Sequence, residues 1–363
     1  MVYYAMGVKK LNKFLSEKHL IKEYSSINSY VNVHLLNNKC KSIFVAVDFW
    51  LYAHKFTYSY GNIIVGFWNQ VSKLLSHRII PIYILDGTPP AEKSTVINDR
   101  YNKKLYTENK IKDICNEITE EEQTGLSDNI TALELEKNRL EKSVIHITKN
   151  DIDNIKHFFD SINIPYICAN SEADYLCAKL YKDGVITACL SDDMDMLPLG
   201  CGKNIKIING AVYEYNLDYI LGELKLSYHQ FVDMCILFGC DYVKLPFKLD
   251  IYHIYELIIK YGSITNILND ANHEIIFLSN PKLAYFVANY ENARNIYFNA
   301  AQSEINHNTK LFYITPYNEI DPFIVIKYLK IFGQNKYAEN NIDIIMKNIE
   351  YINNLISNNV FCV

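Results

Sequence analysis

The sequence predicts an α/β protein whose central, mainly parallel sheet is flanked by helices. Two apolar segments, residues 43–48 and 79–85, have the length of buried strands, and helical patterns separate them. A third apolar segment, residues 185–190, follows another helical stretch that turns at Asp183-Gly184. Strand-helix-strand units of this kind are typical of parallel sheets.

Aspartates stand at the ends of all three predicted strands. Asp48 ends the first strand, Asp86 follows the second, and the third leads into Asp193-Met194-Asp195. Open α/β sheets keep their ligand sites at the C-terminal ends of strands, so we expect these acids to meet at one edge. If the backbone of Asp193 to Asp195 is extended, both side chains point to the same side.

A helix that begins near Ser171 carries two further acids. Ser171 and Asp174 have the spacing of a capping box. Glu172 and Asp174 lie in the first turn, where the positive end of the helix dipole favours carboxylates. They do not share a helix face, so each would reach a metal from a different side or through water. The alternative is that these acids only cap the helix and that those after the strands only solvate loops.

Length and composition exclude several classes of protein. The 363 residues, 49% apolar and 21% charged, are typical of a soluble globular protein. We see no signal peptide and no apolar run of about 18 residues, so we expect no membrane association. Nine cysteines without a C-x-x-C pair indicate free thiols in a reducing compartment and no zinc site. The net charge of −5 would become +2 if seven acids were engaged with metal, so it does not exclude nucleic acid.

The other predicted elements complete the sheet and its helices. Residues 205–208 and 212–215 around Asn209-Gly210 indicate a hairpin. Residues 164–167 are predicted as a strand, and helices are predicted at residues 11–15, 61–77, 151–159, 227–239 and 251–261. The remainder, to Val363, looks helical and carries no functional signal.

Residues 91–149 interrupt the sheet pattern with a polar, charged insertion. It is too long for an ordinary loop and is therefore either a functional lid or disordered, and the alternative is a solvated pair of surface helices. Its first part is basic, with Lys93, Arg100, Lys103 and Lys104.

Six blocks occur in the order of a known family: MGVKKL (6–11), VAVDFWLY (45–52), ILDGTPPAEKS (84–94), residues 147–180, LSDDMDMLPLG (190–200) and ILFGCDYV (236–243). The chain resembles the structure-specific 5′ nucleases of the flap endonuclease superfamily, and within it a divergent, poxviral type. The resemblance implies a PIN-like flap-endonuclease fold. Its expected parts are a nuclease domain (1–225) with a helical arch or gateway (91–149), a helix-hairpin-helix-like DNA-binding module (226–265) and a C-terminal helical region packing on the core (266–363).

The resemblance assigns seven carboxylates to a site for two Mg²⁺ ions, with Mn²⁺ as a substitute. Around the first metal it implies Asp48, Asp86, Glu172 and Asp174, and around the second Asp193, Asp195 and Asp241. Mg²⁺ prefers carboxylate oxygens and retained waters, and two such ions suit in-line phosphodiester hydrolysis. Without metal, seven clustered carboxylates would repel one another. The family has Glu at the position of Asp174, so this ligand is one methylene shorter.

The resemblance also implies residues that contact DNA. Lys93 and Arg100 match the catalytic arch residues that clamp the scissile phosphate. His54 stands where the family stacks an aromatic ring on a base, although a structural histidine is the alternative. The complete set of implied DNA-binding residues is Gly7, Lys9, Lys10, His54, Lys103, Lys104, Lys244 and Lys248.

Two departures from the family concern glycines. The Gly-x-Gly turn that holds a duplex phosphate through potassium is replaced by Lys248-Leu249-Asp250, so Lys244 and Lys248 are expected to contact phosphate instead. The N-terminal Gly-x-x-Gly keeps Gly7 but has Lys10 in second place.

The expected activity is Mg²⁺-dependent cleavage of DNA near 5′ flaps, nicks or single-to-double-strand junctions, in replication, recombination or repair, and the enzyme acts either as a flap endonuclease or as a 5′-3′ exonuclease. We expect a monomer without the C-terminal sliding-clamp peptide, acting beside other replication or recombination proteins. The expected location is intracellular, at cytoplasmic replication sites if the protein is viral. Three alternatives remain: a 5′-directed ribonuclease, a catalytically weak DNA-binding or scaffolding protein of the same fold, and an α/β protein whose acids never meet.

Overall fold

A computed structural model of the chain describes residues 7–8, 10–38, 40–124, 129–245, 249–270, 281–304, 319–332, 335–358 and 360. The predictions made for Lys9 and Lys248 lie outside these residues.

A single sheet organises the described part of the chain. Its strands are β1 (Lys22–Tyr24), β2 (Ile43–Asp48), β3 (Ile79–Leu85), β4 (Tyr166–Cys168), β5 (Ala188–Leu190), β6 (Lys203–Ile208) and β7 (Ala211–Asn216). They lie in the order β1-β7-β6-β5-β2-β3-β4. Every pair from β6 to β4 is parallel, whereas β7 pairs antiparallel with β6 and with β1. The mainly parallel sheet and the hairpin at Asn209-Gly210 are therefore confirmed.

The register brings the acid-bearing strand ends to one level. Asp48 in β2 lies opposite Ile84 in β3, one residue before the end of that strand. On the other side of β2, Val47 lies opposite Leu190, the last residue of β5. The segments that follow β3 and β5 therefore start beside Asp48, as the sequence predicts for acids at C-terminal strand ends.

Helices cover both faces of this sheet. They are α1 (Leu11–Glu17), α2 (Ile27–Asn38), α3 (Phe49–Tyr60), α4 (Ile63–Ser76), α5 (Ser94–Thr124), α6 (Ile130–Ser143), α7 (Lys149–Ser161), α8 (Ala173–Lys182), α9 (Leu217–Leu224), α10 (Tyr228–Phe238), α11 (Ile251–Tyr261), α12 (Ile264–Asn269), α13 (Pro281–Ser303), α14 (Pro322–Ile331), α15 (Asn335–Asn340) and α16 (Ile342–Ser357). Two 3₁₀ turns, Ala91–Lys93 and Met194–Met196, complete the described elements. Among the described residues, no helix combines the length and the apolar character needed to cross a membrane.

Alternating side chains of the strands build two cores. In β2, Ala46 belongs to a cluster with α1, α8, α10 and α13, whereas Val45 and Val47 belong to a cluster with α3, α4, α7 and α16. Successive residues of a strand point to opposite faces, so each cluster lies on one face of the sheet. The C-terminal helices thus divide between the two cores, with α13 on the first and α14 and α16 on the second.

The insertion after β3 consists of two long helices. Helices α5 and α6 contact each other, and Lys110 of α5 donates to Glu136 of α6 at 3.0 Å. Near the base of the pair, the Lys104 amino group donates to the carbonyl of Ile145 at 3.3 Å. Most of their side chains are exposed or half-buried, as the sequence predicts for a solvated helical pair.

The predicted capping box at Ser171 is wrong. Helix α8 begins at Ala173, and its N-cap is Glu172, whose side chain makes no capping hydrogen bond. Instead, the Asp86 carboxylate accepts the N–H of Ala173 at 2.7 Å. Ser171 is held through its backbone, because its carbonyl accepts the N–H of Gly87 at 2.6 Å. A tertiary contact therefore replaces the local cap.

We predict that Gly66→Ala destabilises the fold by about 1–3 kcal/mol through overpacking, because an added Cβ would lie 2.2 Å from Phe56 where α3 meets α4. The matched control is Gly222→Ala in α9, where, apart from the adjacent residues and the backbone of α9 itself, no described atom lies within 4 Å of the added Cβ. That control should be stabilised by about 0.5–1 kcal/mol, as expected for an exposed helical glycine. Urea unfolding measures both, and equal stabilities for the two variants would contradict the close packing of α3 on α4.

Candidate active site

The first group of acids lies where β2, β3 and α8 meet. Asp48 caps α3, and its carboxylate accepts the N–H of Leu51 at 3.1 Å. Asp86 reaches across to α8 through its bond to the N–H of Ala173 at 2.7 Å. Glu172 and Asp174 stand at the start of α8, and both are buried. The four acids implied for the first metal are therefore brought together.

The second group of acids lies in a tight turn. The condition of a continuously extended backbone from Asp193 to Asp195 is not met, because Met194–Met196 forms a 3₁₀ turn. The Asp193 carboxylate caps that turn and accepts the N–H of Asp195 at 2.8 Å. This capping bond favours a turn over a continued strand. The two acids nevertheless interact with each other and with Asp241, which follows α10.

Ser191 connects the two groups. Its hydroxyl donates to Asp48 at 3.2 Å, and the same oxygen accepts the N–H of Asp193 at 3.0 Å. Ser191 is fully buried directly after β5. Sequence reasoning did not select this residue, although its position between a strand end and an acidic turn was the available signal.

Burial and mutual repulsion disfavour ionisation of these carboxyl groups. Burial first, and then the charge of Asp86, raise the pKa of Asp48 to about 7. Burial followed by repulsion from Asp193 holds the pKa of Asp174 and of Asp195 well above the ordinary aspartate value. Buried carboxylates that share a site behave in this way unless cations compensate them.

Two basic residues of the insertion provide part of that compensation. Lys93 pairs with Glu172, and its amino group lies 5.7 Å from the ring centroid of Tyr242. Although burial lowers the pKa of Lys93, the charges of Glu172, Asp174 and Asp195 together raise it above its ordinary value. On α5, the Arg100 guanidinium donates to Asp241 at 3.0 Å. Both residues that the sequence implied as catalytic thus face the acids.

The acids offer a chemically suitable environment for a divalent cation. All the candidate metal-ligand atoms are carboxylate oxygens, which Mg²⁺ and Mn²⁺ prefer. One buried atom, Oδ2 of Asp195, has no hydrogen-bond partner within the described residues. In that same part of the chain, no three His, Cys, Asp or Glu side chains form a ready-made metal-binding group. The donor chemistry therefore fits a metal, and the ligand set stays a prediction.

Gly7 lies directly against the second group of acids. Its φ is +70°, and an added Cβ would lie 1.9 Å from Oδ1 of Asp193. Only glycine combines this backbone conformation with so close an approach. The structure therefore assigns Gly7 a packing function beside the acids, and its predicted DNA contact stays a prediction.

The other basic residues implied for DNA binding lie around the same edge. Lys10 donates to the carbonyl of Leu249 at 2.8 Å and so ties α1 to the segment before α11. Lys244 pairs with Asp99 of α5 at 2.6 Å. Lys103 is exposed on α5, near Arg100. These contacts bring the N-terminal segment, the helical pair and the residues after Asp241 to one side of the site.

His54 lies on α3, one turn beyond Trp50, with the two ring centroids 6.2 Å apart. Burial lowers the pKa of its imidazole, and the positive charges of Lys104 and Arg100 lower it further. The ring therefore lies near the positive charges at the base of the helical pair. Asp192, which sequence analysis left out of the ligand set, pairs with Lys55 of the same helix.

Two contacts to the site come from a region that gave no functional signal in sequence. The Tyr297 hydroxyl on α13 donates to Asp195 at 3.0 Å. Just beyond α13, Glu304 accepts the backbone N–H groups of Asn170 and Ser171, each at 2.9 Å. The helical pattern of α13 does not reveal which surface the helix will cover, so no local signal could have selected either residue.

Comparisons with known proteins agree with this geometry. A model of the XPG N-terminal domain matches residues 6–107, and a model of the XPG I-region matches residues 163–241. Flap endonuclease 1 of Entamoeba histolytica is 29% identical over 272 residues, which cover 73% of this chain and 65% of that protein. Across the first curated relatives, the chain spans about half to two thirds of their length.

Solved structures show the same fold. The catalytic core of Rad2 in complex with DNA substrate superposes with a TM-score of 0.65 at 18% identity, covering 95% of this chain and 100% of that one. The Holliday junction-resolving enzyme GEN1, in complex with product DNA, Mg²⁺ and Mn²⁺, gives a TM-score of 0.60 at 13% identity, with coverages of 93% and 77%. The protein is thus an α/β protein with the fold of these nucleases. The family-model matches and the curated relatives support its placement in the structure-specific 5′ nuclease superfamily.

We predict that the metal-free protein loses stability as pH rises through the raised pKa of Asp48. In the folded chain the Asp48 carboxyl group keeps its proton up to pH about 7, whereas its ordinary pKa is 3.8. The contribution of this protonated carboxyl group to the stability of the fold is therefore complete below pH about 4 and is lost as pH rises through about 7. Urea unfolding in EDTA from pH 5 to 8 should show a steeper decline for the natural protein than for Asp48→Asn, which cannot titrate. Parallel curves would contradict the raised pKa.

Proposed function

We propose that the protein is a divalent-metal-dependent, structure-specific 5′ DNA nuclease that cleaves phosphodiesters near 5′ flaps, nicks or single-to-double-strand junctions. One observation carries this proposal. Acids from separate segments, after β2, β3, β5 and α10 and at the start of α8, meet at one edge of the sheet, where Lys93 and Arg100 of the insertion face them. A purely structural role gives no reason to bury so many like charges together.

The residues that would hold metal ions are the seven acids, Asp48, Asp86, Glu172, Asp174, Asp193, Asp195 and Asp241. Two Mg²⁺ ions, or Mn²⁺ in their place, would activate a water and stabilise the leaving oxygen of a phosphodiester. Both metals accompany product DNA in the GEN1 structure of the same fold. Because burial and repulsion raise the pKa of several of these acids, metal binding would require the release of their protons and would strengthen as pH rises.

Lys93 and Arg100 would bind the scissile phosphate. Both cations already contact carboxylates of the site, so an approaching phosphate meets one compact ammonium and one planar guanidinium. Arg100 can donate two parallel hydrogen bonds to phosphate oxygens, which fixes their orientation. Lys93, held between Glu172 and the ring of Tyr242, would supply positive charge at a defined position.

Helix α5 would guide the single-stranded part of the substrate. Tyr101 is 64% exposed and Tyr106 is 72% exposed on this helix, next to Lys103 and Lys104. Exposed aromatic rings interleaved with lysines suit unpaired nucleotides, because bases stack on the rings while the lysines follow the phosphates. The DNA substrate bound to the Rad2 core of the same fold supports this assignment.

The biological setting follows from this substrate. Flaps, nicks and junctions arise in DNA replication, recombination and repair, and we place the protein in those processes beside their other proteins. We further propose an intracellular protein, at cytoplasmic replication sites in the case of the poxviral origin that the sequence blocks imply.

We predict that exchanging Asp193 and Asp195 together for Asn lowers cleavage of a 5′-labelled DNA flap by about a thousandfold or more, since several kcal/mol of transition-state stabilisation are lost. The measurement compares product formation in Mg²⁺, in Mn²⁺ and in EDTA. The matched control is Asp192→Asn, which removes the neighbouring acid that pairs with Lys55 and should stay within a few-fold of the natural rate.

Each other outcome of this assay has a defined meaning. Activity that persists in the double variant, or in EDTA, would refute the proposed metal-dependent nuclease. Faster cleavage of a matched RNA flap would identify a 5′-directed ribonuclease instead. Tight flap binding without cleavage in either metal would indicate a DNA-binding or scaffolding protein.

A further inference from the structure

Helix α13 reaches the second group of acids through one hydroxyl group. The Tyr297 side chain is fully buried, and its oxygen lies 3.0 Å from Oδ1 of Asp195. The Asp195 side chain is buried as well, and its other oxygen, Oδ2, has no hydrogen-bond partner within the described residues. The two oxygens of one carboxylate therefore differ, because one is satisfied by a phenol and the other is not.

An unsatisfied carboxylate oxygen is costly in a buried position. Asp193 and Asp241 surround Asp195 with further negative charge, so the group that would satisfy Oδ2 is a cation. Lys93 also acts electrostatically on Asp195, but it pairs with Glu172. By donating to Oδ1, Tyr297 fixes the rotation of the carboxylate and leaves Oδ2 as the oxygen available to a metal. Partners of this kind orient metal ligands in many sites.

The position of Tyr297 is itself fixed by packing. Its ring meets that of Tyr242 edge to face, with the centroids 5.2 Å apart. Three residues earlier on α13, Arg294 makes two hydrogen bonds of 2.8 Å to Asp233 of α10. Asp233 is buried, and it also accepts the N–H of Ile264 at 2.9 Å. The ion pair therefore holds α13 in place, and the packing of the ring holds the hydroxyl against Asp195.

The residue after α13 contacts the segment that leads to the first group of acids. Glu304 is fully buried, and its two carboxylate oxygens each accept one backbone N–H, from Asn170 and from Ser171. These two residues directly precede Glu172 and the start of α8. A carboxylate that binds two successive N–H groups restrains the direction in which the chain enters the helix. Glu304 therefore restrains the segment that leads directly to Glu172.

We propose that Tyr297 and Glu304 are positioning residues for the metal-binding acids: Tyr297 orients Asp195, and Glu304 holds the segment that carries Glu172. This proposal rests on the proposed function, because it takes the acids as metal ligands. Neither residue needs to touch DNA or metal. Their action is to reduce the freedom of the carboxylates before an ion arrives, which raises affinity for that ion.

The test is direct Mn²⁺ binding to the full chain, measured from the electron paramagnetic resonance signal of free Mn²⁺. Tyr297→Phe should weaken Mn²⁺ affinity by about ten- to a hundredfold, in the range known for partners that orient metal ligands. The Mn²⁺ concentration needed for half-maximal flap cleavage should rise by the same factor, while the rate at saturating Mn²⁺ stays within a few-fold.

The matched control is Tyr290→Phe on the same helix. Tyr290 is buried, and its hydroxyl contacts Thr265 at 3.1 Å and no acid of the site. This variant should bind Mn²⁺ as tightly as the natural protein. A Tyr297→Phe variant with unchanged Mn²⁺ affinity would overturn the role given to Tyr297, even if its thermal stability falls. If the natural protein binds no Mn²⁺, the metal site itself is overturned. That result differs from equal Mn²⁺ binding by the natural protein and the Tyr297→Phe variant, which overturns only the role of Tyr297.

Glu304→Gln provides the second test. Glutamine keeps the size of the side chain but retains only one oxygen, so one of the two N–H groups loses its acceptor. We expect weaker Mn²⁺ binding and a raised metal requirement for cleavage, with far-ultraviolet circular dichroism unchanged. The control is Glu291→Gln, an exposed glutamate of α13 that accepts a hydrogen bond from the Tyr290 hydroxyl at 3.3 Å. Equal Mn²⁺ affinity in the two glutamine variants would overturn the role of Glu304.

Discussion

The mutual repulsion of buried carboxylates is the constraint on which the surroundings of this site depend. Parallel strands that end at one level bring Asp48, Asp86 and the turn after β5 together, and low solvent access amplifies their repulsion. The chain compensates with hydrogen-bond donors of several kinds. Backbone N–H groups serve Asp48, Asp86 and Asp193, the Ser191 hydroxyl serves Asp48, and the Tyr297 hydroxyl serves Asp195. Lys93 and Arg100 add positive charge from outside the sheet.

Much of the fold could be predicted because its signals are local. The strands at residues 43–48 and 79–85 match their predicted bounds, since runs of β-branched and apolar residues bounded by polar ones suit a buried parallel strand. Helix α11 begins and ends where its apolar period does, with Asp250 accepting two N–H groups at its start. The acids were predicted to meet because strand direction alone determines which edge they share.

The rest could not be predicted, because it depends on contacts between distant segments. Ser171 has the spacing of a cap for α8. The N–H group of Ala173 at the start of that helix is instead bound by Asp86, which follows β3. The turn at Met194 follows from a single bond between Asp193 and the next aspartate, which overrides the extended pattern before it. The contacts of α13 with the site arise only once both cores have formed.

The replaced glycines after α10 illustrate the same dependence on distant contacts. Asp250 serves as the cap of α11, and Lys10 binds the carbonyl of Leu249. Side chains and a backbone carbonyl thus make structural contacts in the segment where the resemblance implied a glycine turn. Lys10, the basic residue in second place of the N-terminal pattern, contacts this segment directly.

The Arg294–Asp233 pair has a consequence for how this lineage can change. Asp233 lies inside the segment that matches the XPG I-region, whereas Arg294 and Tyr297 lie beyond both matched segments. Two chains could therefore share every recognisable motif and still differ in how firmly their acids are held. Under the proposed function, sequence drift in α13 would alter the metal requirement while the motifs remain intact, so the evolvable part of this site lies outside the part by which it is recognised.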